Sequence, residues 1–400
     1  MPSLLALLAR QNQGGPTIAD ELRTQWSGPP DVLSILLLLG GDVVQASLAQ
    51  LTSSPFLTPA VFSFGWVSYA VSALLSAVGD NRLMPTSPDY PCLVINGKSG
   101  YARDNRSWIL SRTLRDFDFW KEKEVSDEEK KLLIILKEKL AAKGKTNVQP
   151  RVPLSVSIYN VSAKKRAGRS TPDFIYAFSF LVIAVQFGIA AIPCGLYDDW
   201  AILMVTGAGT ALAWATAALP QWREEKVGAC RKDSDKTFVI TSGNGTKDVI
   251  VIRGAGVGLD LEDLAAANAR TAVTTRVALC AMGVLWVALL ITVAGLKSDT
   301  WFLLGVGGVG MLQNILVAAL PRKPGAYGLH LEYEQTVCRE KVMLTLQALE
   351  EVQPFLGRSL LHTFFPGEMR EDEIKWWEEA KKRAIASKHS PPVAAPPPMT

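Results

Sequence analysis

The chain has 400 residues, 48% of them hydrophobic and 20% charged, with a formal net charge of +4. Those averages fit an ordinary soluble protein, yet of 42 basic and 38 acidic side chains only Asp42 and Arg276 fall within six long apolar stretches. Such segregation excludes a soluble enzyme, a secreted disulfide scaffold and a disordered chain, and it predicts a membrane protein.

In chain order, residues 1–31 form a cytoplasmic N-terminal segment whose short apolar run, MPSLLALLARQNQ, lacks a positive flank. It is a poor signal peptide, so the first span is expected to act as signal anchor. The apolar stretches lie at 32–52, 56–78, 174–195, 200–220, 272–295 and 300–320, each long enough to cross about 30 Å of hydrocarbon as a helix. They pair into transmembrane hairpins over 32–78, 174–220 and 272–320, because the connections 53–55, 196–199 and 296–299 are too short for anything else.

Between hairpins one and two, 79–173 reads as a cytoplasmic α+β insert. A strand is predicted at Pro91–Asn96 and a helix at Ser107–Trp120. Ser126-Asp-Glu-Glu129 has the form of a capping box opening a helix through Leu132–Leu140, with Gly144 as its stop. The run LLIIL in that helix is apolar all round and is expected to pack on protein or on the membrane surface. Leu154–Val161 alternates as a strand does. In 221–271, Thr237–Thr241 and Asp248–Arg253 flank Ser-Gly-Asn-Gly-Thr-Lys as a β-hairpin, followed by a helix at Asp260–Ala267. Residues 321–387 form a cytoplasmic C-terminal region that reads as helical over 330–387, and 388–400 is a Pro-rich tail predicted to be disordered. The predicted fold is therefore predominantly α: a six-helix transmembrane bundle of three hairpins, with a small cytoplasmic α+β layer assembled from the two large loops.

Orientation follows from charge. The side holding the three short connections carries a single basic residue, Lys297, while Arg276 lies within a span and every other Lys and Arg lies on the opposite side. The positive-inside bias places both termini and both loops in the cytoplasm. Separately, the endoplasmic reticulum or another endomembrane is expected rather than the plasma membrane. The glycosylation sequons at Asn105, Asn160 and Asn244 then lie on the wrong side and are predicted to be unmodified. The loop 81–172 is basic, which a membrane-tethered loop uses on anionic lipids rather than on nucleic acid.

Motifs with chemical content are few. Five scattered cysteines and three distant histidines predict neither disulfides nor a metal centre. Gly305–Gly310 matches GxGxxG inside a span, where glycines serve close packing. Gly254-Ala-Gly256-Val-Gly258 follows a strand, but that strand belongs to an antiparallel hairpin and the third fingerprint position is Leu259. GxxxxGK[ST], HExxH and GxSxG are absent, so no cofactor is predicted. Asp198-Asp199 precedes a span without further carboxylates at helical spacing and reads as a solvated turn and helix cap.

Asp42 stands out, an acid in the middle of span one where insertion costs about 2.5–3.5 kcal/mol. Gln45 is on the same helical face, and Gly40 and Gly41 leave room for a neighbouring helix. Asp42 is either a buried acid in a membrane cavity or an interhelical bonding partner for a helix bearing Gln186 or Gln313-Asn314. In span two, Trp66 and Tyr69 either line a cavity or simply pack.

The segments GGDVVQASLAQL, FSFGWVSYAVSALLSAVGD, YDDWAILMVTGAGTALAWATAALPQWREEK and GLDLEDLA resemble a family of fungal multi-pass integral membrane proteins, most of them uncharacterised, over most of residues 30–380. A looser analogy runs to the membrane-bound terpene cyclases of fungal meroterpenoid pathways, from which the chain departs in length, span count and loop size. That analogy implies a cyclase or isomerase acting on a lipophilic prenylated or epoxidised intermediate of secondary metabolism. Asp42 would donate the proton, Gln45 would orient it, and Trp66 and Tyr69 would shield the cation as substrate-binding residues. Partner enzymes would meet it at the cytoplasmic face. The alternatives are a non-catalytic membrane scaffold and a transport-related protein.

Overall fold

The computed structural model describes residues 40–52, 57–80, 82–85, 90–144, 147–228, 230–267, 269–296 and 298–389. The N-terminal segment, the first part of span one, the 53–55 connection and nearly all of the Pro-rich tail lie outside the described residues. In order, the elements are α1 (Gly41–Leu51), α2 (Trp66–Gly79), β1 (Leu93–Asn96), β2 (Ala102–Asp104), α3 (Trp108–Arg115), α4 (Phe117–Trp120), α5 (Lys123–Ala142) and β3 (Ser155–Val161). Then come α6 (Phe174–Tyr197), α7 (Ala201–Ala217), α8 (Pro220–Arg223), a π-turn at Glu224–Gly228, β4 (Thr237–Thr241), β5 (Asp248–Arg253) and α9 (Leu261–Ala266). The chain continues through α10 (Val273–Ala294), α11 (Thr300–Ala319), a 3₁₀ turn at Pro324–Tyr327, β6 (Leu331–Cys338), α12 (Val342–Val352), α13 (Leu356–Phe364) and α14 (Glu371–His389). These elements form two compact units: a helical one from the described residues of 1–85, 172–223 and 270–320, and an α/β one from the described residues of 86–171, 224–269 and 321–400.

In the helical unit, α6, α10 and α11 are long and apolar enough to cross a membrane. The helix α7 reaches that length only with its bent continuation Pro220–Gly228. Burial runs opposite to that of a soluble bundle. Leu181, Val185, Val277, Val284, Ile291 and Leu312 point outward, while Ser47, Ser179, Gln186, Thr206, Gln313 and Asn314 are buried. In α10 only 17% of the most apolar window is buried. Apolar outside and polar inside is the arrangement that hydrocarbon solvent imposes, since interior polar groups can then pair across helices.

One expected helix is corrected. Residues 57–65 of the predicted span 56–78 are not helical, and the helix begins only at Trp66. Pro59 supplies no N–H and disfavours helical geometry at Thr58. The stretch is nevertheless buried from Pro59 onward, so its carbonyls need partners. Side chains supply them. Tyr176 Oη donates to Leu57 O (3.0 Å), Trp214 Nε1 to Ala60 O (3.1 Å), Trp66 Nε1 to Val61 O (2.9 Å) and Gln186 Nε2 to Phe62 O (2.7 Å). Two of the GxGxxG glycines of α11 make room for this strand-like segment, while Gly305 faces Ile189 of α6. A Cβ on Gly310 would overlap the Phe62 carbonyl, and one on Gly307 the Phe64 ring.

The α/β unit is built on a six-stranded sheet in the order β2-β1-β4-β5-β3-β6. β3 pairs parallel to β5, and every other pairing is antiparallel. The predicted hairpin is present as β4–β5, and its turn places Gly243 and Gly245 at positive φ. Strand alternation sends Val156, Ile158, Val239, Val249 and Val251 to one face, where Leu346, Leu349, Leu360 and Trp377 of the C-terminal helices cover them. Each such buried side chain contributes about 1.5–3 kcal/mol.

Two further expectations are corrected here. The region 330–387 is not wholly helical, because Leu331–Cys338 is the edge strand β6 beside β3. Its alternating burial is what a half-covered strand requires. The Ser126 capping box lies inside α5, which starts a turn earlier and so buries Val125. Of the LLIIL run only Leu132 is buried, while Ile134 and Ile135 face outward. The stop at Gly144 holds, with φ of +72° just past the helix end.

Candidate functional site

The four candidates from the predicted spans one and two are on neighbouring helices, since a Cβ on Gly41 would lie 2.8 Å from Ser68 Oγ across the α1–α2 approach. They do not converge on one cavity. Asp42 is exposed in the first turn of α1 and makes no hydrogen bond or ion pair among the described residues. The suggested partners are committed elsewhere. Gln186 bridges Phe62 O and Val306 O, each at 2.7 Å. Asn314 joins Ser47 (3.1 Å) to Ser63 (2.9 Å), and Gln313 donates to Ser179.

Gln45 donates to Leu83 O at 2.8 Å. Trp66 and Tyr69 are at most 1% exposed and belong to an aromatic stack. Trp286 lies parallel to both Phe62 and Trp66, at 6.3 and 5.4 Å, and Tyr69 stands edge-on to Trp66 and stacks with Trp222. This stack, built on α2, α8, α10 and the extended segment, is a packing device of the bundle. The N-cap of α7 is Trp200 rather than either aspartate, and Asp199, one residue earlier, accepts from Ala201 N at 2.9 Å.

A concave site exists in the α/β unit instead. A cavity of about 900 Å³ is bordered by the turn after β1, the start of β4, and the α12–α13 corner. Asn96 shapes the turn, its Oδ1 accepting from Lys98 N (3.0 Å) and Ser99 N (3.1 Å). Packing is tight at Gly97, where a Cβ would press on Leu356 and Thr237 at 3.0–3.1 Å. Gln353 donates to Thr237 Oγ1 at 3.0 Å and accepts from Arg253 Nε at 2.8 Å. Phe355 sits at φ +71°, held by its N–H on Glu350 Oε1 at 2.7 Å. A bulky residue at positive φ costs about 1–3 kcal/mol and recurs at ligand sites. Lys236 is tied to Asp260 (2.8 Å) and Glu262 (3.1 Å). Amides, hydroxyls, lysines and one carboxylate line the cavity, without histidine or cysteine. Such a lining offers hydrogen-bond donors and acceptors and charges of both signs to a bound polar group.

No residue of this groove stood out in the sequence as a site: Asn96 and Thr237 read only as strand ends, and Gly97-Lys-Ser-Gly100 carried no motif. A cluster of buried cations was equally silent. Arg112 lies over Trp108 at 4.8 Å, and Lys226 and Arg322 lie over Tyr327 at 5.5 and 5.8 Å. All three are at most 4% exposed. Among the described residues no three His, Cys, Asp or Glu side chains come together as metal ligands. Comparison with family models, with curated proteins and with solved structures finds no match.

Proposed function

We propose that the chain is a multi-pass membrane protein that acts through its α/β unit, as a membrane-anchored binding and scaffolding module. The observation that supports this reading is where concavity and packing fall. The intramembrane aromatics are consumed in a stack, whereas the α/β unit presents an open polar groove. In this reading all six apolar stretches anchor the chain as three hairpins. The extended segment 57–65 forms the entry to the second span, and both termini are cytoplasmic in an endomembrane. Partner proteins or a small ligand engage the groove.

The terpene cyclase reading keeps one supporting observation. Asp42 is an acid on the outer face of an apolar unit, where a lipophilic substrate would approach from the bilayer. The two readings separate in complementation. A host lacking the gene is supplied with Asp42→Asn, Lys98→Glu or Ser99→Trp, and the lost trait or metabolite is measured. The scaffold reading expects rescue by Asp42→Asn and failure of the two groove variants. Rescue by the groove variants with failure of Asp42→Asn sinks it and favours the intramembrane acid.

A further inference from the structure

Two segments of the α/β unit lead directly, in sequence, to membrane-length helices. Residues 162–171 run into α6 at Phe174, and residues 321–330 leave α11 after Ala319. Three residues of chain reach at most about 11 Å, so a helix entering a bilayer at Phe174 keeps Thr171 near its headgroup layer. The two segments are laced together. Ser162 N donates to His330 O (2.9 Å), Gly168 N to Gly328 O (2.9 Å) and Thr171 N to Gly325 O (3.0 Å). His330 Nε2 meets Arg169 O at 2.8 Å, which makes Nε2 the protonated nitrogen, since a carbonyl only accepts. Gly328, at φ +89°, would place a Cβ 2.8 Å from the Gly168 carbonyl carbon, so the close approach depends on it.

This clamp carries Lys164, Lys165, Arg166, Arg169 and Lys323, all exposed. Among the described residues, none of the five is in an ion pair. Beside it lies a cavity of about 300 Å³ whose lining includes Lys165, Lys323 and Thr171 together with Glu122 and Glu332. Glu332 is oriented by Ser162 Oγ, which donates to it at 2.7 Å.

The geometry points to a lipid headgroup site: this cavity takes the headgroup of phosphatidylserine, with phosphate on Lys165 and Lys323 and ammonium on Glu332 and Glu122. Both signs of charge in one small cavity carry the choice. An inositol polyphosphate would bring several negative charges against two carboxylates. A choline headgroup has no N–H to give Glu332. The serine carboxylate adds a second anion for the neighbouring basic row, and a juxtamembrane polybasic segment gains about 1 kcal/mol per Lys or Arg near an anionic leaflet.

The inference goes beyond the groove reading and is tested apart from it. Full-length protein in detergent is titrated with dioctanoyl phosphatidylserine, and binding is followed by thermophoresis. Saturable binding is expected, weakened at least tenfold by Lys165→Ala with Lys323→Ala. Glu332→Gln should weaken phosphatidylserine but not dioctanoyl phosphatidic acid, which has no ammonium. Lys98→Glu, in the groove, should change nothing, and unchanged melting would show that each variant is folded. The proposal is overturned if dioctanoyl phosphatidylcholine binds as well, or if the double alanine variant binds as wild type. Tighter binding of a phosphoinositide would also overturn it, as would equal competition by inorganic phosphate, which would mark a free-phosphate site.

Discussion

At the scale of single residues, the helical unit turns on side chains that satisfy or admit the extended segment. Gly310 is the sharpest example, because a methyl there would overlap the Phe62 carbonyl that Gln186 also holds. Gly308, two residues earlier on the same helix, has open space around it. Gly310→Ala should therefore destabilise by about 1–3 kcal/mol or more through overpacking. Gly308→Ala should be neutral or slightly stabilising, since alanine is favoured over glycine in helices by up to about 1 kcal/mol. Thermal melting of the two variants in the same detergent checks this pair, and equal melting temperatures would refute the packing account.

His330 supplies a second residue-scale prediction. Burial, followed by the neighbouring Lys165 charge, holds its imidazole below the ordinary value of 6.5 despite the Arg169 carbonyl. The unfolded chain then takes up the proton first as pH falls, so His330 contributes stability above pH 6.5 that is lost as pH drops toward its folded value. Wild-type melting should fall between pH 7.5 and 5.5 by more than that of His330→Asn. Parallel pH profiles for the two would remove His330 as the cause.

At the scale of elements, legibility depended on whether a segment's partner was local. The β4–β5 hairpin was readable because its turn glycines and both strands lie within 17 residues, Thr237 to Arg253. The strand at Leu154–Val161 was readable from its own alternation. β6 was not, because its mate β3 is more than 150 residues away and its sequence, LEYEQTVC, shows polar positions that suit an edge strand as well as a helix. The extended segment 57–65 was hidden for a related reason. Hydropathy measures how apolar a stretch is and says nothing about whether its carbonyls bond within the segment or to Gln186 and Trp214 across the bundle. Asp42 stands out in the sequence by its charge alone, and its surroundings depend on where neighbouring helices turn their faces.

The C-terminal helices are bound to the sheet by a continuous core, and Leu346 of α12 is fully buried in it. Leu346→Ala should cost about 2–5 kcal/mol, as large-to-small changes in packed cores do. Limited proteolysis should then cleave within 331–389 faster than in wild type. Unchanged protection of that region would mean that α12 is not part of the sheet's core.

At the scale of the whole molecule, the modest net charge of +4 is a sum over very unequal parts, and the topology proposed from it can be read chemically. Ser298 lies between α10 and α11, on the side that holds the short connections, and is exposed. Ser99 is exposed on the turn after β1, in the loop 81–172 that carries 19 of the 42 basic residues. If positive charge fixes the orientation, the two positions face opposite compartments. In a background with Cys194 and Cys280 replaced by alanine, Ser298→Cys in sealed endoplasmic vesicles of native orientation should resist a membrane-impermeant maleimide until detergent is added. Ser99→Cys in the same vesicles should be labelled at once, because the cytoplasmic face is outside. The sequons offer an independent check of the same arrangement. Asn105 is only 5% exposed and donates to Ser107 O and Ser111 Oγ, so folding shields it whatever its compartment. Asn160 Nδ2 donates to Glu334 from an exposed site, so its glycosylation state reports compartment more directly. Immediate labelling of Ser298→Cys, or a glycosidase-sensitive mass shift at Asn160, would invert the bundle and put the groove and the basic clamp on the lumenal side.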